Sequence, residues 1–102
     1  MSRTRLRVGR RGEALARAHL ERLGWRVLAA NVRTPHGELD LVADDGAALV
    51  FVEVKARRSD AFGVPQEALT RRKREHLVAA AHTYLQSLEQ LPATWRIDVV
   101  AL

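Results

Sequence analysis

The sequence predicts an α/β domain in which a central mixed β-sheet is flanked by helices, with the element order αβββαβ. Apolar residues recur at helical spacing in two stretches, residues 11–23 and 70–88. Three alternating or β-branched segments lie between these stretches, and a fourth follows the second. The 102 residues, 47% of them hydrophobic, are enough for one buried core. We therefore assign residues 1–102 to a single domain, in which residues 1–10 form a basic N-terminal arm.

The two helices are defined by apolar stripes and by residues that favour helix ends. Gly24 is a natural stop for the first helix, and Thr70 is a favourable N-cap for the second. The first stripe contains Leu15, Ala16, Leu20 and Leu23, with Glu13 at its edge. The second stripe contains Leu77, Ala81, Tyr84, Leu85 and Leu88. Each helix therefore has one face that can pack against a sheet.

Four strands are predicted from β-branched and alternating patterns. They cover residues 25–32, 38–43, 48–56 and 95–102. The segments TPHG at 34–37 and DDG at 44–46 have the residues of turns. Residues 57–66 are expected to form a loop before the second helix. The turn at 44–46 makes the second and third strands a hairpin-like unit.

Charge is unevenly distributed along the chain, whose formal net charge is +5. Residues 1–33 contain nine Arg against two Glu, and residues 34–55 contain five acids against Lys55 alone. Basic residues return at 57–58 and 71–74. An acidic centre between basic segments fits a metal site that receives a phosphate backbone, although basic runs also occur on solvated surfaces. We therefore expect nucleic acid as the partner.

Composition excludes several classes of site. Disulfides, zinc–thiolate centres and a cysteine nucleophile all require cysteine, which the chain lacks. The Arg-rich start is followed by no long apolar run, so we predict neither a signal peptide nor a membrane span. We expect a cytoplasmic protein with no membrane partner.

Four charged residues interrupt the otherwise apolar second and third strands. Alternation places Glu38 and Asp40 on one face of the second strand. It places Glu53 and Lys55 on one face of the third. Charged groups are rarely buried unless they are paired or bind a metal. The pairing of the two strands therefore decides whether these groups can act together.

An even loop between the two strands brings the charged residues onto one face. In that register Ala43 pairs with Ala48, and Glu38 opposes Glu53. Cross-strand partners point to the same side of a sheet, so the four groups converge. An odd loop would place the two sets on opposite faces and remove the basis for a shared site.

Asp40 and Glu53 have the chemistry of a divalent metal site. Two carboxylates in a partly buried place repel each other, and a cation removes that cost. Mg²⁺ prefers oxygen ligands and is commonly held by one or two carboxylates, to which the carbonyl of Val54 can be added. Lys55 can orient or deprotonate the attacking water, or stabilise charge on a phosphate. The simpler alternative is an ion pair of Lys55 with Glu53 or Glu38 on a solvated face.

These motifs resemble a known family in their order and spacing. The segment GELDLVADDGAALVFVEVKAR at 37–57 looks like the core of the PD-(D/E)xK superfamily of restriction-endonuclease-like and Holliday junction resolvase-like nucleases. More narrowly, the chain is similar to the YraN-like uncharacterised protein family 0102 of bacteria. The similarity runs from GEALARAHL at 12–20 through GWRVLAANVR at 24–33, GELDLV and FVEVKAR to RIDVVAL. It covers nearly the whole chain, although the family's usual tail beyond the last strand is absent from this sequence.

The resemblance implies a restriction-endonuclease-like core with a Mg²⁺-dependent phosphodiesterase site, in which Mn²⁺ can substitute. Carried over by position, Asp40 and Glu53 are metal ligands and Lys55 is the catalytic lysine. Glu13 is the helix carboxylate that approaches the metal, directly or through water. Gln66 lies where related resolvase-like nucleases often carry a polar residue. The residue before Asp40 is Leu rather than the superfamily's Pro, which departs from the literal motif.

Basic residues after the third strand and at the start of the second helix are the candidates for phosphate contacts. They are Arg57, Arg58, Arg71, Arg72, Lys73 and Arg74, with Gln66 between the two groups. Lys73 is equally compatible with a solvated lysine whose stem packs on its own helix. Glu38 lies on the predicted site face. It is either a further metal ligand or the ion-pair partner of Lys55 or of an arginine.

Two functions are compatible with this pattern. The first is a Mg²⁺-dependent endonuclease-like protein that hydrolyses phosphodiester bonds, with DNA as the expected substrate. The second is a nucleic-acid-binding protein that acts in DNA repair or processing without cleavage, because a fold does not guarantee activity. Symmetric cutting of a junction would favour a two-fold homodimer, for which the sequence identifies no surface.

Overall fold

The computed structural model describes residues 3–55 and 70–102, with side chains from residue 11 onward. Within these ranges the elements follow the predicted order αβββαβ. They are α1 (Arg3–Arg22), β1 (Arg26–Thr34), β2 (Gly37–Asp44), β3 (Leu49–Lys55), α2 (Arg71–Gln86) and β4 (Trp95–Ala101). The predicted α/β fold class is therefore confirmed.

The sheet is mixed and has the strand order β1-β2-β3-β4. β1, β2 and β3 pair antiparallel, whereas β4 pairs with β3 in parallel after the connection that contains α2. α1 packs on one face through Ala16 and Leu20. α2 packs on the other face through Leu77, Ala81 and Leu85. The apolar residues between the sheet and each helix are called the α1 layer and the α2 layer below.

Phe51 in β3 is the centre of the α2 layer. It is 1% exposed and is the largest of the fully buried side chains. Its ring meets Tyr84 of α2 and Trp95 of β4 edge to face, with ring centroids 5.7 Å apart in both pairs. These contacts join the helix to two neighbouring strands. Trp95 is partly buried and packs against this core rather than forming an exposed stacking surface.

Helix α1 begins at Arg3, eight residues before the predicted start. The residues that were assigned to a basic arm therefore lie largely within the helix. Its end is as predicted, because Gly24 has a φ of 88° and follows the last turn. The N–H of Trp25 donates to the carbonyl of Leu20 at 3.1 Å, which completes a glycine-based helix stop.

The predicted apolar stripe of α1 is only half correct. Ala16 and Leu20 are buried, one turn apart on the same side of the helix. Leu15 and Leu23 are 52% and 57% exposed. Leu15 lies to one side of the row that reaches the sheet, and Leu23 lies beyond the helix, which ends at Arg22. His19 of α1 is also exposed.

Helix α2 agrees with the prediction except at its last turn. The hydroxyl oxygen of Thr70 accepts the backbone N–H of Lys73 at 3.1 Å, so the predicted N-cap is confirmed. Its buried residues are Leu77, Ala80, Ala81 and Leu85. The helix ends at Gln86, two residues earlier than predicted.

No helix in the described part of the chain is long and apolar enough to cross a membrane.

The β2–β3 hairpin differs from the predicted register by two residues. Ala43 pairs with Val50 rather than with Ala48. The loop of residues 45–48 has the predicted even length, so pairs near the turn keep their predicted faces. Within this loop the Asp45 carboxylate accepts the N–H groups of Ala47 and Ala48, at 2.8 and 2.7 Å, which stabilises the turn.

Arg96 in β4 anchors this turn to the far edge of the sheet. Its Nη1 lies 2.7 Å from Oδ2 of Asp45, and its Nε lies 3.0 Å from Oδ1 of Asp98. The guanidinium also lies 5.4 Å from the ring centroid of Trp25. Backbone hydrogen bonds within the turn and the contact with Arg96 lower the pKa of Asp45 to about 2.

The role of Phe51 yields a stability prediction. Phe51→Ala should lower the free energy of unfolding by about 3–5 kcal/mol, because it opens a cavity where α2, β3 and β4 meet. Urea denaturation followed by circular dichroism measures the change. Leu91→Ala is the matched control, because Leu91 is 72% exposed and its loss should change stability by about 0.5 kcal/mol or less. Equal effects of the two changes would contradict this account of the core.

Candidate metal centre

Three carboxylates from α1 and β2 meet beside the sheet. One carboxylate oxygen each from Glu13, Glu38 and Asp40 lies within 4.8 Å of the other two. Glu13 and Asp40 are partly buried, and Glu38 is exposed. We call these three residues the acidic cluster. Carboxylates at this spacing repel one another unless a proton or a cation lies among them.

A break in strand alternation brings Asp40 toward α1. Leu41 packs in the α1 layer, whereas Leu39 and Val42 both pack in the α2 layer. In a regular strand, residues three positions apart face opposite sides, so the alternation is interrupted between Leu39 and Val42. β1 carries a matching irregularity opposite, at Asn31, whose φ is 53°. In a regular strand Asp40 would share a face with Val42, which packs against α2. The interruption lets Asp40 approach Glu13 on α1 instead.

Asp40 is anchored by the backbone of β3. The paired residues of β2 and β3 end at Leu41 and Val52. Beyond that pair, the N–H of Val54 donates to Oδ2 of Asp40 at 2.8 Å. A side-chain carboxylate thus satisfies a backbone donor at the point where the two strands separate. The predicted role of the Val54 carbonyl as a metal ligand stays a prediction.

The surroundings of Asp40 raise the pKa of its carboxyl group. Burial is the largest cause that raises the pKa of Asp40 from 3.8 to about 6. The negative charges of Glu53, Glu13 and Glu38 raise it further, against the lowering effect of the Val54 N–H. A divalent cation among these oxygens would reverse the balance, because it stabilises the ionised carboxylates. The donor set therefore fits a hard cation such as Mg²⁺.

Glu53 lies outside the acidic cluster and faces α2. It is 8% exposed, and its Oε1 lies 3.1 Å from Nζ of Lys73. Glu38 and Glu53 line one pocket, but the break in alternation brings the Asp40 carboxylate close to Glu13 of α1, so the arrangement is not the single flat face that was predicted. Glu53 is still close enough to raise the pKa of Asp40. Lys55 is half-buried and follows Glu53 by one strand repeat, on the same face of β3.

Glu38 lies close both to the other carboxylates and to an arginine, the two kinds of partner that the sequence left open for it. It belongs to the acidic cluster, and its Oε2 also lies 3.7 Å from Nε of Arg33, its cross-strand partner. The Arg33 side chain is 89% exposed and that of Glu38 is 41% exposed, so this ion pair contributes little to stability. Glu38 is thus available as a third carboxylate at the site.

The start of α2 brings basic residues to the other side of the same region. Arg71, Arg72, Lys73 and Arg74 are exposed in its first turn, which contains no acidic residue. A pocket beside this turn is lined by His36, Glu38, Glu53, Lys73 and His76, among others. Glu38 therefore belongs both to the acidic cluster and to the pocket that Lys73 borders. The predicted contacts of Arg57, Arg58 and Gln66 lie outside the described residues.

Sequence reasoning missed one polar residue at the site. Asn31 donates from Nδ2 to Oε1 of Glu13 at 2.9 Å. The available signal was local, because Asn is depleted in strands and tolerates a left-handed backbone better than most residues. An Asn in the middle of a predicted strand therefore indicates an irregularity.

Comparison with known proteins identifies the family. Residues 12–102 match the Uncharacterised protein family UPF0102. A UPF0102 protein of Symbiobacterium thermophilum is 48% identical over 94 residues, which cover 92% of this chain and 80% of that protein. One from Dehalococcoides mccartyi is 41% identical over 104 residues, covering all of this chain and 84% of that protein. The chain therefore belongs to the UPF0102 family.

The raised pKa of Asp40 predicts how stability without metal depends on pH. Because the pKa is raised in the folded state, ionisation of Asp40 lowers stability as the pH increases from about 4 to about 6 and beyond. Asp40→Asn should therefore stabilise the protein at about pH 8, by on the order of 1 kcal/mol after screening by solvent. The effect should vanish near pH 4. Urea denaturation in the presence of a chelator measures both values.

Asp44→Asn is the matched control for this change. It removes an acid from the same strand that lies outside the acidic cluster and pairs with Arg26 at 3.4 Å. It should give no stabilisation at either pH. An Asp40→Asn protein that is less stable than the wild type at pH 8 would contradict the proposed repulsion.

The Lys73–Glu53 pair predicts a second stability effect. Lys73→Met keeps the length of the side chain but leaves Glu53 buried without its cation. The free energy of unfolding should fall by about 1–3 kcal/mol, because one member of the pair is nearly buried and the other is half-exposed. Adding Glu53→Gln should restore part of the loss, and Arg72→Met should change little. A double-mutant cycle in urea measures the coupling, and its absence would contradict the pair.

Proposed function

We propose that this member of the UPF0102 family is a Mg²⁺-dependent endonuclease-like protein that hydrolyses phosphodiester bonds, with DNA as its substrate. The observation that carries the proposal is the convergence of Glu13, Glu38 and Asp40 within 4.8 Å, in a protein with a net charge of +5. The repulsion among these oxygens makes a divalent cation their natural occupant. The basic segments on either side would receive the phosphate backbone.

The residues divide into a set for the metal and a set for the reaction. Asp40 and Glu13 would hold the metal, with Glu38 and the carbonyl of Val54 as further oxygen donors. Glu53 would join this set from the other side of the point where β2 and β3 separate. When bound, the cation would supply charge neutralisation at the phosphate and a more acidic water for attack on phosphorus.

Lys55 would serve the attacking water or the developing charge. It follows Glu53 on the same face of a strand, so the backbone of β3 holds its position relative to the carboxylates. A lysine near the scissile phosphate can, as the ammonium group, orient the water, deliver a proton or offset negative charge in the transition state, and only as the neutral amine can it accept a proton. Among the basic residues that begin α2, Arg72 and Arg74 would contact flanking phosphates.

A second candidate function is nucleic-acid binding without cleavage. The observation that favours it is the contact between Glu53 and Lys73, at 3.1 Å. This ammonium neutralises the carboxylate that a nuclease would use as a ligand. A protein that kept this pair in the presence of metal would bind a phosphate backbone through its basic surfaces and recruit other repair or processing proteins.

Cleavage assays separate the two functions. Purified protein is incubated with fluorescent single-stranded, duplex and four-way-junction DNA, each with Mg²⁺, with Mn²⁺ and with chelator. We expect metal-dependent cutting, which Asp40→Ala and Lys55→Ala should reduce by roughly 10²-fold or more, because each removes a group required at the reacting phosphate. Asp44→Ala is the control, since it removes an acid of β2 outside the acidic cluster.

The binding data from the same samples decide the alternative. Electrophoretic mobility shifts without cutting of any substrate would overturn the nuclease proposal and favour the non-catalytic binder. Cutting that persists in Asp40→Ala would indicate a contaminating nuclease. Cutting restricted to the four-way junction would also predict a homodimer, which sedimentation analysis measures directly.

A further inference from the structure

We propose that Asn31 is a positioning residue that orients Glu13 toward the acidic cluster. The inference rests on the proposed metal site and assigns a role to a residue outside its acidic motif. Asn31 lies in β1, an edge strand, and would act on the metal only through the carboxylate of Glu13 on α1. Three observations support the role: a side-chain hydrogen bond, a left-handed backbone, and a location directly beside Asp40.

The hydrogen bond fixes Glu13 without neutralising it. Nδ2 of Asn31 donates to Oε1 of Glu13 at 2.9 Å, which leaves Oε2 available to a cation. The contrast is with Glu53, whose carboxylate contacts the ammonium group of Lys73 at 3.1 Å. A neutral amide restricts the rotamers of a carboxylate but preserves its negative charge. Such outer contacts are how proteins orient carboxylates that bind metals.

The backbone of Asn31 explains how its side chain comes to this side of the sheet. Ala29 and Val32 both pack in the α2 layer, whereas Ala30 packs in the α1 layer. Asn31 has a φ of 53°, and this left-handed residue absorbs the break in alternation between them. Its side chain can therefore reach Glu13 on α1. Asn is among the few residues other than Gly that adopt this conformation at low cost.

The break in β1 matches the break in β2. The β1–β2 ladder pairs Ala30 with Leu41 and Val32 with Leu39, and Asn31 and Asp40 lie between these two pairs. The same irregularity therefore brings Asp40 toward α1 and places the amide that holds Glu13. Glu13 and Asn31 line a surface hollow together with Arg17. The guanidinium of Arg17 pairs with Glu21 at 3.7 Å, so Asn31 is the residue that contacts the Glu13 carboxylate.

Mn²⁺ binding to the full chain tests the role of Asn31 with a readout other than cleavage. Isothermal titration calorimetry is performed on the wild type, Asn31→Gly, Glu13→Gln and the double variant. Asn31→Gly keeps the left-handed backbone and removes only the amide. We expect its affinity for Mn²⁺ to fall by roughly tenfold, which is the lower end of the range of losses observed when an outer-shell contact is removed. Its urea denaturation without metal should match that of the wild type.

Two comparisons distinguish a positioning role from a structural one. Because Asn31 acts through Glu13, Asn31→Gly should cause no further loss of affinity in the Glu13→Gln background. Asn31→Ala should lose as much affinity as Asn31→Gly but denature at lower urea, since it strains the backbone. Wild-type affinity in Asn31→Gly would overturn the proposal and leave the metal site intact. No binding of Mn²⁺ to the wild type would overturn both this proposal and the proposed function.

Discussion

The hydrogen bond from the Val54 N–H to the Asp40 carboxylate, 2.8 Å long, is the contact on which the site depends. It lies where β2 and β3 stop pairing, so a side chain takes the place that a backbone carbonyl would occupy in a continued ladder. A backbone donor in this position needs a partner, and the carboxylate supplies it. Asp40 is therefore held close to other acids although its burial and their charges raise its pKa to about 6.

The neighbouring carboxylates are stabilised in different ways, and the differences suggest how the site works. Asp40 accepts from a backbone N–H, Glu13 from a neutral amide, and Glu53 contacts an ammonium group. The first two contacts orient a carboxylate and leave its charge in place, whereas the third also neutralises it. The negative charge that remains is thus concentrated on the side of α1. A cation there would stabilise a group of residues that otherwise repel each other.

Glu53 connects the two functions that we propose. Its contact with Lys73 satisfies a nearly buried carboxylate when no other cation is near, which makes the fold compatible with the absence of metal. The same carboxylate acts on Asp40 across the point where the strands separate. Whether a divalent ion or Lys73 holds Glu53 under working conditions is the difference between a hydrolytic site and a binding surface. Both would use the basic first turn of α2 for phosphate.

The sequence alone determined the features that arise from neighbouring residues. Gly24 ends α1 and Thr70 caps α2 because each acts on the backbone of its own turn. The order of elements and the apolar stripe of α2 follow from local periodicity in the same way. Asp40 was found as a charge in an otherwise apolar strand, whereas Glu13, at the edge of the α1 stripe, was assigned to the site through the family resemblance.

Tertiary structure decided which charged residues meet, because that depends on contacts between strands distant in sequence. The alternation rule placed Asp40 on the same face as Glu38 and Glu53, and the irregularities at Asn31 and Asp40 bring it close to Glu13 of α1 as well. Asn31 marks an irregularity in β1, but its sequence does not show which residue of β2 lies opposite it, because that depends on the pairing of the two strands. The contact between Lys73 and Glu53 likewise required the packing of α2 on β3. Local chemistry thus specified the elements, and long-range pairing specified the site.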